Sequence, residues 1–468
     1  MQNHSIDKLL LQAAMLAANY RMTIAARSQH PDASYSEMLA AFSAPTPESE
    51  MPADAVIDEL AKLAEPGLHT PTGPGFFGWV IGASHPVGVA ADVLTSAWGQ
   101  NCGNLHAAPA AAAVETIAAA WLLDLLELPA ECTVGFVTGG TMANFVCLAA
   151  ARSEVLLRAD WNVESLGLFG APPIQLYIGD DAHTTVFSAL QMLGLGYDRV
   201  IRIPTDDAGR MLAPALAEKI DGADMPKIVI AQAGQINTGS FDPFEEIAAI
   251  AHHRGAWLHV DGAFGLWARA CPAVAEQARG ADLADSWATD GHKWLQTPYD
   301  CGYAIVRNGD AHRRAMTTAA SYLPAAGEGE RDPSQYVPEL SRRARGFATW
   351  AIIRHLGRQG IAEMVARHCC VARRMAERLQ AEPGISVLNR VVLNQFIVRF
   401  GADLSPAEGD ALTKKVIAQI QADGVCFVGS ARWRGSWVMR ISVISWPITE
   451  ADGDRASEAI ISAWRRVA

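Results

Sequence analysis

The sequence predicts an α/β protein whose central sheet is mostly parallel. Short β-branched runs alternate with helical stretches across residues 133–260, and the motifs richest in glycine and ionisable residues fall just past those runs. Such alternation builds a parallel sheet covered on both faces, whose ligands gather at the carboxyl ends of its strands. Size is the third observation. With 468 residues, 50% of them hydrophobic and 19% charged, the chain can bury more than one small core.

Residues 5–27 read as an alanine- and leucine-rich amphipathic helix. A linker follows at Ser43 to Pro52, and Ala53 to Ala64 forms a second helical stretch. From Pro66 to Gly88, glycine, proline and aromatics disfavour both regular structures, so a packed loop is expected. A strong helical pattern over Ala107 to Leu128 is closed by Pro129. The alternation then runs Thr133 to Val137, helix from Met142, Gln175 to Ile178, helix from Thr184, Arg199 to Ile203, helix 213–220, Lys227 to Gln232, helix 243–254 and Trp257 to Val260. A long loop over about 317–338, expected to act as a lid, contains Pro324, Gly327, Gly329 and Pro333. Helix resumes near Ala344 and continues to about Gln380. The remainder alternates strand (Asn394 to Phe400), helix (Pro406 to Asp423), strand (Val425 to Gly429) and strand (Trp437 to Ser442) before a closing helix. The expected organisation is an N-terminal helical arm (1–70), a large ligand-binding domain (71–345) and a small C-terminal α+β domain (346–468).

A net charge of −12 argues against nucleic acid or an anionic membrane as the main partner. The eight cysteines lack C-x-x-C pairs and even spacing, so reduced core thiols are expected rather than a disulfide framework. No secretory pattern is legible, and no uncharged apolar run approaches the roughly 18 residues of a membrane span. A cytoplasmic enzyme is the expectation.

Four motifs carry chemistry. Val137-Thr138-Gly139-Gly140-Thr141 joins a strand to a helix. Its glycines admit close backbone approach, and a helix N-terminus offers N–H groups and positive potential to a phosphate. The same turn also serves as an ordinary junction with a threonine cap. Asp261 leaves its strand at the carboxyl end, where a buried carboxylate requires a partner. A protonated ring nitrogen is one such partner; a helix cap or structural ion pair is another. Lys293, between His292 and Trp294, has neighbours that suit a Schiff-base amine, although a lone lysine is commonly a solvated one. His183 follows another strand, either to lie over a flat ring or to act as a capping or core histidine. His252-His253 lacks a third ligand at metal spacing, so no metal is expected, and Arg342, Arg343 and Arg345 read as a solvated face. An acid at a strand end and a lysine further along suit pyridoxal phosphate, whose aldehyde needs an amine and whose ring nitrogen needs a carboxylate.

On these residues the sequence resembles the pyridoxal-phosphate-dependent group II amino-acid decarboxylases, which include aromatic-amino-acid, tyrosine and glutamate decarboxylases. The matching blocks are Phe76-Phe77-Gly78, Thr138 to Asn144, Asp181-Ala182-His183, Asn237 to Asp242, His259 to Ala263 and Asp290 to Trp294. Ala320 to Leu323, Ser341 to Arg345 and Asn394-Gln395 continue the series. The resemblance implies a fold-type-I transferase-like architecture and decarboxylation of an L-amino acid to the amine and carbon dioxide. It implies that Lys293 forms the Schiff base, Asp261 pairs with the ring nitrogen, and His183 and Ala263 cover the two ring faces. Gly139, Gly140, Thr141 and His292 would cradle the phosphate, with Asn237 a further cofactor contact. Tyr322, in the expected lid, would protonate the carbanion. Phe77, Trp79, His106 and Arg345 would line a substrate pocket for an apolar or aromatic amino acid. A homodimer with shared active sites is implied as well. The alternatives are another reaction of the same cofactor (aldehyde-forming oxidative deamination, transamination or carbon–carbon lysis) and a non-catalytic binding protein. Two departures stand out. Gln232 to Asn237 replaces the threonine run of aromatic-specific members, and Asp290 stands where those members carry asparagine near the phosphate. An aspartate beside a phosphate dianion repels it unless screened or turned away.

Overall fold

The computed structural model describes residues 6–220, 222, 224–317, 330–401 and 403–468. Three helices come first: α1 (Ile6–Thr23), α2 (Tyr35–Phe42) and α3 (Ala53–Ala64). The short α2 was not expected. A capping box starts it, in which Ser34 Oγ accepts from the Glu37 N–H and the Glu37 carboxylate accepts from the Ser34 N–H at 2.8 Å. Helix α4 (Pro86–Trp98) corrects the far end of the loop expected over 66–88. Pro86 fills a first-turn position that needs no N–H, and Gly99, at φ 59°, ends the helix in the left-handed region.

After α5 (Pro109–Leu125) come β1 (Thr133–Val137), α6 (Gly140–Leu157), α7 (Val163–Leu166), β2 (Gln175–Gly179), α8 (Thr184–Met192) and β3 (Ile201–Ile203). The series continues with α9 (Ala213–Lys219), β4 (Lys227–Gln232), α10 (Phe244–His253) and β5 (Trp257–Asp261). Two further strands, β6 (Ser286–Asp290) and β7 (Gly302–Val306), were not expected. Every residue of both is buried, so neither shows the alternation that marks a half-exposed strand. The seven strands stand in the order β1-β7-β6-β5-β4-β2-β3. Pairings from β6 through β5, β4 and β2 to β3 are parallel, while β7 runs antiparallel to β1 and β6. The sheet is mostly parallel, as expected. Helix α6 buries Val146, Cys147, Leu148 and Ala150 in one cluster with Ile178, Ile228 and Trp257. The valine, leucine and isoleucine side chains each contribute roughly 1.5–3 kcal/mol, which anchors the start of α6 beside the strand ends.

Helices α11 (Gly309–Met316) and α12 (Gly346–Gln380) follow, the latter interrupted at Gly357 (φ 63°, ψ 179°). A four-stranded sheet closes the chain, ordered β10-β11-β9-β8, from β8 (Ile385–Val387), β9 (Gln395–Phe400), β10 (Gly429–Trp433) and β11 (Ser436–Ser442). Helices α13 (Pro406–Asp423) and α14 (Glu450–Val467) accompany it. The strand expected at Val425 to Gly429 begins only at Gly429. The hairpin turn explains the shift. Arg434 and Gly435 both have positive φ (48° and 83°) between the paired Trp433 and Ser436, a two-residue turn that matches strand twist and sets the register backwards from itself.

By contacts the chain forms two units. Gly82–Ala372 with Asn389–Phe396 contains the seven-stranded sheet; Met1–Ile81, Arg373–Leu388 and Ile397–Ala468 form the other. Within the second unit, the Phe77 N–H donates to Phe427 O at 2.8 Å, the Phe427 N–H donates to Gly75 O at 2.9 Å, and Phe76 stacks on Phe427 at 4.9 Å. Among the described residues, no helix is long and apolar enough to cross a membrane.

Candidate active site

The large sheet brings four strand ends together. Strand β1 turns into α6 through Gly139 and Gly140, β2 turns into α8 through His183, β5 ends at Asp261, and β6 ends at Asp290, three residues before Lys293. Gly139, Gly140, Thr141, His183, Asp261, Ala263, His292 and Lys293, all anticipated from the sequence, line one cleft of about 390 Å³. That volume suits a small ligand, and a crevice at the carboxyl ends of parallel strands is where such sheets bind one.

At one end of the cleft the backbone comes unusually close to side chains. A Cβ on Gly139 would stand 2.8 Å from His292 Cε1, and one on Gly140 would stand 3.1 Å from Asp290 Oδ2. No side chain caps α6, so its first N–H groups border the cleft without a protein partner from a cap. His292 Nδ1 accepts from the Cys301 N–H at 3.2 Å, and its ring stacks on Tyr299 at 4.3 Å. Burial pushes the His292 pKa down, against the pull of Asp290. Lys293 Nζ lies 2.9 Å from Asp290 Oδ2.

The other end is built around Asp261. Burial pushes its carboxyl pKa up, opposed by His183, Lys293, the Ala263 N–H at 3.2 Å and the Asn144 side chain. Asn144 is itself held by a relay. Trp257 Nε1 donates to Ser286 Oγ at 2.9 Å, Ser286 Oγ meets His259 Nδ1 at 2.9 Å, and His259 Nε2 meets Asn144 Oδ1 at 2.8 Å. Burial drives the His259 pKa down to about 3, so the ring is neutral near pH 7 and has one N–H. The network assigns that proton to Nε2, which occupies the Asn144 oxygen and leaves the amide NH₂ for Asp261. His183 caps α8 by accepting from the Thr185 N–H at 3.3 Å while its ring lines the cleft, so the two readings of this histidine coincide.

Other anticipated residues lie elsewhere. Asn237 does not line the cleft; its N–H donates to Gln235 Oε1 at 2.6 Å, and neighbouring Ile236 takes the lining position. His106 is exposed and outside the lining. Arg345 is buried, donating to Asp300 Oδ1 at 2.9 Å beside the lining residue Tyr299. Phe77, fully buried, and Trp79, half-exposed, belong to the other unit. Tyr322 and most of the expected lid lie outside the described residues. The solvated arginine face is corrected: Arg342 pairs with Glu115 at 2.6 and 2.9 Å in a buried bidentate contact, and Arg343 Nε donates to Asp92 at 3.0 Å. Sequence reasoning missed Gln232, Ile236, Phe264 and Tyr299 in the lining. Gln232 was findable, since it ends β4 in register with Asp261.

The residues present fit pyridoxal phosphate. Among the described residues no Lys or Arg forms an ion pair with Asp261, so a protonated ring nitrogen would supply the missing donor to a buried carboxylate. The glycine turn and helix start suit a phosphate, and the Lys293 amine lies in the same cleft. Asp290 is the one discordant group, because it adds negative charge at the phosphate end.

The domain model described as Pyridoxal-dependent decarboxylase conserved domain matches residues 34–399. Tryptophan decarboxylase 1 of Oryza sativa subsp. japonica is 28% identical over 425 residues, covering 85% of this chain and 81% of that one. The 4-hydroxyphenylacetaldehyde synthase of Rhodiola rosea is 24% identical over 411 residues, covering 85% and 82%. Among solved structures, Oryza sativa TDC with PLP and tryptamine has a TM-score of 0.92 at 23% identity, covering 100% of this chain and 99% of that one, which is a likeness of fold. Since the matched segment spans the whole large sheet and the cleft within it, this chain belongs to the pyridoxal-dependent decarboxylase family.

Proposed function

We propose that this enzyme removes the carboxylate of an L-amino acid as carbon dioxide and releases the corresponding amine, with pyridoxal phosphate as its cofactor. The observation that carries the reading is Lys293 and Asp261 lining one cleft with an uncapped glycine turn. When bound, the cofactor supplies a protonated ring that accepts the electrons left behind by carbon dioxide. Lys293 Nζ is the amine that would hold the cofactor's aldehyde. Asp261, braced by Asn144 and the Ala263 N–H, holds the proton on the ring nitrogen. His183 and Ala263 bound the two ring faces and exclude water there. Gly139, Gly140, Thr141 and His292 hold the phosphate. Tyr322 Oη, by resemblance, delivers a proton to the substrate's α-carbon. The working assembly is a homodimer in the cytoplasm, for which light scattering should give twice the chain mass.

Incubation with each common amino acid, scoring carbon dioxide, amine and aldehyde together, tests the reaction. One amino acid should yield carbon dioxide and amine in equal amounts, and Lys293→Ala should lose both turnover and visible cofactor absorbance. Normal turnover in that variant would end the proposal. Aldehyde formation is the second reading, favoured by the similarity to aldehyde synthases of Rhodiola rosea and Arabidopsis thaliana. Aldehyde, ammonia and hydrogen peroxide in place of amine, with one dioxygen consumed per turnover, would establish it, and unchanged amine output from Tyr322→Phe would remove Tyr322 from its role.

A further inference from the structure

We propose that Asp290 sets the charge state in which this site accepts a phosphate, so that loading the cofactor takes up one proton. The inference rests on the cofactor assignment above, and three observations lead to it. Helix α6, 18 residues long, begins without a side-chain cap and turns its positive end to the cleft. Asp290 is 1% exposed, and a Cβ on Gly139 or Gly140 would stand 3.3 Å from its Oδ1 or 3.1 Å from its Oδ2. The carboxylate therefore occupies the anion end of the cleft. Its Oδ2 is 2.9 Å from Lys293 Nζ, whereas its Oδ1 is buried and accepts no hydrogen bond. One carboxylate oxygen thus lacks a hydrogen bond where a phosphate oxygen would seek the same donors.

The titratable groups around Asp290 are Lys293 and His292, whose Nε2 lies 3.5 Å from Oδ1, with Tyr299 and Tyr303. Burial disfavours the charged form of His292 and of both tyrosines. Lys293 Nζ, paired with Asp290 Oδ2, acts on Asp261 as well. A phosphate monoester, with its second pKa near ~6, arrives as a dianion above neutrality. Two further negative charges would then face a cation already paired. Adding one proton, to Asp290 or to the phosphate, removes the excess. An asparagine at this position would present a donor instead and remove the need for the proton.

The test compares pyridoxal phosphate with pyridoxal, which lacks the phosphate, on cofactor-stripped wild type and Asp290→Asn between pH 6.5 and 8.5. The ratio of the two affinities cancels effects that act through the Lys293 amine. In the wild type the preference for the phosphorylated form should fall about tenfold per pH unit, as uptake of one proton requires. In Asp290→Asn it should stay flat and exceed the wild-type value at least tenfold at pH 8. Inorganic phosphate should raise the melting temperature of the stripped variant at pH 8 and leave that of the stripped wild type unchanged. Asp290→Ser provides a second neutral side chain if asparagine disturbs folding. Equal pH slopes in wild type and variants, or a lower preference in the variants, would overturn the proposal and leave Asp290 as a structural partner of Lys293. Failure of the wild type to take up pyridoxal phosphate at every pH would overturn the cofactor assignment and this proposal with it.

Discussion

Asp261 and Asp290 end adjacent strands of one sheet and line one cleft, yet the fold treats them in opposite ways. Asp261 receives a backbone N–H and an amide whose orientation is set by a buried relay, and it lacks a cation of its own among the described residues. Asp290 has a lysine at 2.9 Å on one oxygen, while the other accepts no hydrogen bond and has only His292 Nε2, at 3.5 Å, beside it. Burial pushes the carboxyl pKa of the first up, so its charge calls for a protonated partner that arrives from outside. The second carries charge that an arriving anion must displace or neutralise. Strand position alone does not decide the role of a carboxylate; its donors do.

The largest effect should come from Asp261→Asn. A neutral amide cannot retain the proton on a ring nitrogen, so kcat should fall about a thousandfold, or ~4 kcal/mol, while circular dichroism remains native. Loss of less than tenfold would break the distinction between the two aspartates. Next comes acid sensitivity at the Asp261 end. His259 titrates at about 3 when folded against an ordinary 6.5, so its neutral form is favoured by the fold. Its contribution to stability is therefore complete above pH 6.5 and is lost as pH falls towards 3, at about 1.4 kcal/mol per pH unit. Urea unfolding at pH 6.5 and 4.5 should show about 2 kcal/mol of loss from this group, and His259→Gln should remove that share. An unaltered acid slope in the variant would show that His259 is protonated in the native protein.

Asn144→Ala should cost about 1–3 kcal/mol in urea unfolding by stranding the His259 N–H, and should also weaken cofactor binding through Asp261. Stability loss with unchanged cofactor affinity would mean that the relay holds the core but not the carboxylate. The smallest effect is expected at the opposite end. In Gly140→Ala the added carbon would stand 3.1 Å from Asp290 Oδ2, so the carboxylate has to yield by a few tenths of an ångström. Cofactor affinity should drop about fivefold, near 1 kcal/mol, in an absorbance titration. A larger loss would locate the phosphate closer to the glycine turn than Asp290 is.

Much of this architecture was legible before the structure. The alternation from Thr133 to Val260 exposed five strands because each run is bracketed by a helical period. Lys293, Asp261, His183 and the Gly139-Gly140 turn could be picked out because each stands within a few residues of a strand end. Strands β6 and β7 escaped, since full burial leaves no alternation to read and, unlike the equally buried β4 and β5, no α-helix separates them. Helix α4 escaped because Pro86 reads as a breaker unless it is known to open a helix. The Arg342–Glu115 pair joins residues 227 apart, and the Asn144–His259 contact joins residues 115 apart. Local composition holds no trace of either.

The sequence by itself determined which functional groups stand at which strand ends, because periodicity and side-chain chemistry are properties of neighbouring residues. Only the tertiary structure decided that Asp261 is braced by Asn144 while Asp290 pairs one oxygen with Lys293 and leaves the other without a hydrogen bond. The working charge of a buried acid is set by donors that distant segments bring within about 3 Å, and folding alone assembles that shell.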